Sequence, residues 1–128
     1  MGKVIQNFAR NRNYGCRITV DIFFGNIPSV VLENEYIRMT ILAGRGADVV
    51  EFLYKPLDID LVWLTNKGIP TKKIPEFHDD DVDTFLEGYP GGWQTVFPNG
   101  GAPSEVGGIS FGQHAEAALL EWQYVVNV

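Results

Sequence analysis

The chain has 128 residues, a formal net charge of −6 and 45% hydrophobic residues, the size and composition of one globular domain over 1–128 and not of a disordered chain. Ten Lys and Arg stand against sixteen Asp and Glu, and with no basic cluster beyond Lys72-Lys73 this balance argues against nucleic acid or an anionic membrane surface as the principal partner. A single cysteine, Cys16, rules out an internal disulfide framework and fits a cytoplasmic setting, and no apolar run is long enough for a signal peptide or a membrane-spanning helix.

Alternation of Ile18, Val20 and Ile22 with Arg17, Thr19 and Asp21 predicts a half-buried strand over 17–23, with Cys16 a packing residue of that strand. Gly25-Asn26-Ile27-Pro28 predicts a turn, and the extended apolar run 29–32 completes a hairpin. Over 36–42, Ile37, Met39 and Ile41 face one way and Arg38 and Thr40 the other, until Gly44-Arg45-Gly46 breaks the strand. Val50, Phe52 and Tyr54 alternate around Glu51 in a further strand that closes at Lys55-Pro56. A short apolar strand at 61–65 is expected after an Asp-containing turn. The first half is therefore a meander of antiparallel strands.

Residues 66–87 form a long excursion containing the acidic run His78-Asp79-Asp80-Asp81-Val82-Asp83. Hard cations take several carboxylates, but this run lacks the glycine and distal glutamate of a calcium loop, so it reads as a solvated acidic loop and no metal is expected. One helical turn is expected over 84–87, and no sustained helical periodicity elsewhere. At the other end, Leu120, Trp122, Tyr124 and Val126 alternate with Glu121 and Gln123, which predicts a last strand. It stops without a turn or cap, as expected of a truncation or of a strand completed by another chain, and its edge is expected to drive self-association. The fold class is thus an all-β antiparallel β-sandwich.

Residues 88–101, GYPGGWQTVFPNGG, read as an irregular loop that carries aromatic side chains. Tyr89, Trp93 and Phe97 offer apolar rings on which a sugar's C–H face stacks, and Gln94, Asn99 and Glu105 offer groups for its hydroxyls. The same rings are equally able to close the end of a sandwich core. His114, in a small-residue context before the last strand, is placed either to donate to a sugar hydroxyl or ring oxygen or to bond backbone. Neither Cys16 nor Ser104 nor Ser110 has the context of a catalytic nucleophile, and no nucleotide-binding glycine pattern is present, so no cofactor is expected.

The order LENEYIRMTIL, a glycine turn, then a strand ending in Tyr-Lys-Pro, resembles the N-terminal strands of the aldose 1-epimerase (galactose mutarotase-like) family. GYPGGWQTVFPNGG followed by FGQHAEAALLEWQY is similar to that family's aromatic-Pro-Asn loop and His-Gly-Glu segment, particularly in its sugar-epimerase-like branch. The likeness covers roughly 31–124. It implies part of a large β-supersandwich, and an isomerase lineage that opens and recloses a pyranose ring to interconvert α and β anomers. It also implies a catalytic role for His114, which holds or protonates the ring oxygen, and a sugar cleft that includes Trp93, Gln94, Asn99, Tyr89, Phe97 and Glu116. The second histidine and glutamate base of the family are expected beyond Val128, so the chain is expected to be an incomplete catalyst. Ala115 stands where the family has glycine. A non-catalytic sugar-binding or interaction module is the alternative.

Overall fold

The computed structural model describes residues 9–13, 15–69, 86, 89–114 and 116–127. Its strands are β1 (Ala9–Asn13), β2 (Cys16–Phe24), β3 (Ile27–Glu33), β4 (Ile37–Leu42), β5 (Asp48–Tyr54), β6 (Ile59–Asp60), β7 (Ser104–Val106) and β8 (Ile109–Phe111). The first six form one sheet in chain order, every neighbouring pair antiparallel, and β7 and β8 form a separate hairpin. The architecture is all-β, antiparallel and sandwich-like, as the alternating patterns predict.

Register explains the alternation. Ile18 pairs with Leu32, Leu32 with Met39 and Met39 with Phe52, and because directly opposed residues share a face, these four form one apolar row across the sheet. The next row, Thr19, Val31, Thr40 and Glu51, lies on the opposite face. Breaks in register between Thr19 and Ile22 and between Thr40 and Ile41 shift the pairing locally. Asp21 sits in the first of these breaks with φ 58°, a conformation that a short polar side chain tolerates.

The main core joins Ile27, Leu42 and Val50, with Leu64 and Ile69 packed against them. Two of the polar side chains buried nearby, Ser29 and Thr40, are satisfied in place. Ser29 Oγ donates to Ile27 O at 3.0 Å and Thr40 Oγ1 donates to Glu51 Oε2 at 2.7 Å. Arg38 grips the same carboxylate through Nε at 2.9 Å and Nη2 at 2.6 Å. The hydrogen bonds from Arg38 and Thr40 hold the Glu51 carboxyl below its ordinary range, although its burial opposes this. On the other face Ile18, Leu32, Ile37, Met39 and Phe52 line an open groove of about 360 Å³.

Several expectations are corrected. The short strand is Ile59–Asp60 rather than 61–65, of which Leu64 alone makes a bridge, to Gly91. At this point Asp60 Oδ1 accepts from Phe52 N at 3.0 Å and Val62 N at 2.9 Å, and Leu61 N still donates to Phe52 O at 3.0 Å. The predicted last strand at 120–126 belongs to no ladder among the described residues. It attaches to the β4–β5 turn through single hydrogen bonds, Gly46 N to Leu120 O at 2.7 Å and Trp122 N to Ala43 O at 2.8 Å. Residues 122–126 together with Ile18, Val30, Leu32 and Ile41 line a second groove of about 270 Å³. The period-2 pattern there marks one apolar side, not a backbone partner. Cys16 lies in β2 as expected but is exposed. The acidic run 78–83 and most of the expected helical turn, apart from helical Leu86, lie outside the described residues.

Candidate functional site

The aromatic loop begins as a wedge. Trp93 exchanges both backbone hydrogen bonds with Val49 of β5, Val49 N to Trp93 O at 3.0 Å and Trp93 N to Val49 O at 2.9 Å. On its other side Gly92 N donates to Trp63 O at 2.8 Å and Thr65 N donates to Pro90 O at 2.7 Å. Gly91, at φ +89°, passes so close to the backbone of Trp63 and Leu64 that a Cβ has no room there. This packing is the physical reason for the glycine pair, and it takes the place on β5 that a strand at 61–65 was expected to fill.

The far half of the loop docks on the turn that carries His114. Gly101 N donates to His114 Nδ1 at 3.0 Å, and His114 N donates back to Gly101 O at 3.1 Å. Asn99 Nδ2 donates to Gly112 O at 3.2 Å, and Ala117 N donates to Phe97 O at 3.1 Å. The structure thus brings Phe97 and Asn99 onto the 112–117 segment that carries His114. Because Nδ1 accepts a backbone N–H, the neutral imidazole carries its proton on Nε2, the tautomer that can donate to a ligand oxygen. His114 has φ 57°, a left-handed conformation costly for a non-glycine residue and stabilised here by the reciprocal pairing with Gly101.

Trp93 and Phe97 are 61% and 67% exposed, so neither closes the core, and Glu105 and Glu116 are exposed as well. Tyr89, Gln94 and Asn99 are half-buried. Gln94 and Asn99 spend side-chain donors on the fold, Gln94 Nε2 on Asp48 Oδ2 at 3.2 Å and Asn99 Nδ2 on Gly112 and Ala102 carbonyls. Asn99 Oδ1 is buried with no hydrogen-bond partner among the described residues. Neither of the two sheet-face grooves is lined by Trp93 or His114.

Sequence reasoning passed over Arg45 and Asp48, which are 4% and 0% exposed. Arg45 stands between glycines and reads as part of a strand break, and Asp48 falls between that break and the alternation that begins at Val50. Only the packing of the turn against the loop and the 117–122 segment buries them. Burial pushes the Asp48 carboxyl up to about 6, against the opposing pull of the Arg45 charge and the Gln94 hydrogen bond. Burial likewise lowers Arg45, partly offset by Asp48. Among the described residues no group of His, Cys, Asp or Glu is placed to hold a metal ion, and no helix is long and apolar enough to cross a membrane. Comparison with protein-family models, curated proteins and solved structures finds no match for this chain.

Proposed function

We propose that the chain binds a pyranose sugar between the aromatic loop and His114, in the manner of the mutarotase-like enzymes that its sequence resembles. One observation carries this reading: the loop bearing exposed Trp93 and Phe97 is hydrogen-bonded to His114 through Gly101, in the arrangement that fixes the imidazole with its proton on Nε2. An exposed indole and phenyl ring give a sugar's C–H face a surface to stack on. An Nε2–H gives a ring oxygen or hydroxyl a donor, and it is the group that transfers a proton when the ring opens. In a complete relative the histidine protonates the ring oxygen as a glutamate base takes the anomeric hydroxyl proton, and of this pair the described residues offer the histidine side. The aldehyde then rotates and the ring recloses on its other face.

Titration of the labelled chain with galactose and with glucose tests the binding. Expected are shift changes at the Trp93 indole and the His114 ring, weakened about fivefold in Trp93→Ala by loss of roughly 1 kcal/mol of stacking. Spectra unchanged at high sugar concentration overturn the proposal. Polarimetry separates a binding module from a catalyst. Accelerated mutarotation that is lost in His114→Ala establishes the isomerase, and no acceleration despite binding establishes the non-catalytic module.

A further inference from the structure

Asp48 opens β5 opposite Leu42, at the root of the turn 43–47. Three segments meet at this turn. In the turn, Asp48 N donates to Arg45 O at 3.1 Å. In the loop, Gln94 Nε2 donates to Asp48 Oδ2 at 3.2 Å. Gln94 is the residue that follows Trp93, whose two backbone hydrogen bonds join it to Val49, the neighbour of Asp48. The third segment, 117–122, closes on the turn through Ala118 against Gly46 and through the Leu120 carbonyl.

We infer that Asp48 is a positioning residue for the candidate site: its buried carboxylate holds Gln94 and, with the adjacent Val49–Trp93 pairing, sets the direction in which Trp93 faces the ligand. The functional meaning rests on the sugar reading above, whereas the anchoring does not. Asp48 Oδ2 is committed to Gln94, while Oδ1 is buried without a hydrogen-bond partner among the described residues. A proton therefore enters on Oδ1 without displacing Gln94, and converts a charge-assisted hydrogen bond into a weaker neutral one. The groups that act on the carboxylate are Arg45 from the turn and neutral Gln94 from the loop; Leu42, its register partner on β4, and Ala118 and Leu120, which close on the turn at Gly46, carry no charge. Arg45 is the charge that acts on it. Since burial brings the carboxyl to about 6, mild acid is enough to loosen this anchor.

The test follows the Gln94 side-chain amide and the Val49 and Trp93 backbone amides of the whole chain by NMR as pH is lowered. They are expected to move together with one midpoint near 6. An ordinary imidazole titrates in the same range, so the movement must persist in His114→Ala. It must vanish in Asp48→Asn, and its midpoint must rise in Gln94→Leu, which removes a partner of the charged form. Loss of the movement in His114→Ala, its absence in the native chain, or an unchanged midpoint in Gln94→Leu overturns the inference. The last result decides the matter if Asp48→Asn does not fold. Sugar affinity is expected to fall severalfold between neutral and mildly acid pH in the native chain. Absence of any sugar-dependent shift while the common titration persists overturns the sugar reading and leaves the anchoring supported.

Discussion

Two carboxylates on adjoining stretches of β5 respond to acid in opposite directions. The Asp48 carboxyl is raised from 3.8 to about 6, so the folded chain binds its proton more tightly than the unfolded chain does. Stability from this residue is greatest below the lower value and falls as pH rises to about 6, by about 3 kcal/mol in all. Glu51 is lowered by Arg38 and Thr40. Its contribution is present above the ordinary glutamate value and is lost as pH falls through its depressed folded value. Urea unfolding of the native chain and Asp48→Asn across this range is expected to show a pH slope in the native chain that the variant lacks. A native slope retained in full by the variant counts against burial as the cause. Arg38→Ala removes the bidentate grip on Glu51 and is expected to cost about 1 kcal/mol at neutral pH, for Arg38 is itself substantially exposed and Thr40 remains. Neither role is visible in the chain as a string: Asp48 and Glu51 are both acidic positions in one strand, and only register and burial separate them.

At the scale of elements, β2, β4 and β5 were legible because each alternates apolar and polar residues over a sheet with two unlike faces, and β3 as an extended apolar run after a turn. β1, reading ARNRN, has no apolar alternation to reveal it and is recruited by pairing with β2. The β7–β8 hairpin is short and largely exposed. Its one signal is the two-residue Gly107-Gly108 loop between runs of equal length, a hairpin cue that weak flanking patterns obscured. The misplaced strand at 61–65 and the last predicted strand share a cause, since an apolar stripe does not say which backbone will pair with it. The loop's meeting with His114 was suggested by resemblance and composition. The contact of Gln94 in that loop with Asp48 was not, because it joins residues 46 positions apart. The turn that joins β4 to β5 depends on Gly46, which has φ +61° and lies against the backbone of Ala118. Gly46→Ala combines a conformational penalty with a backbone collision and is expected to cost about 3 kcal/mol or more. Chemical denaturation is the measure, and a loss below about 1 kcal/mol counts against tight packing of 117–122 on this turn.

At the scale of the molecule, many large apolar side chains among the described residues lie open to solvent, including Trp63 at 69% and Val125 at 84%. The row of Ile18, Leu32, Met39 and Phe52 adds a groove on one sheet face. Such surface is costly in water, and the isolated chain is expected to associate as its concentration rises. Sedimentation velocity over a concentration series checks this, with Leu32→Lys expected to reduce association because Leu32 is exposed and central to the row. A native chain that remains a monomer throughout contradicts the expectation.

The wedge formed by Gly91, Gly92 and Trp93 has a further consequence for how this sheet can grow. By bonding to Val49 where Ile59 and Asp60 leave off, it caps the outer rim of β5 with a second, independent piece of chain. Among the described residues, an incoming strand finds two residues to pair with at β6 but five at β1. Extension of the sheet by a foreign strand is therefore directed to the β1 side, and the aromatic loop acts as a stop at the other margin.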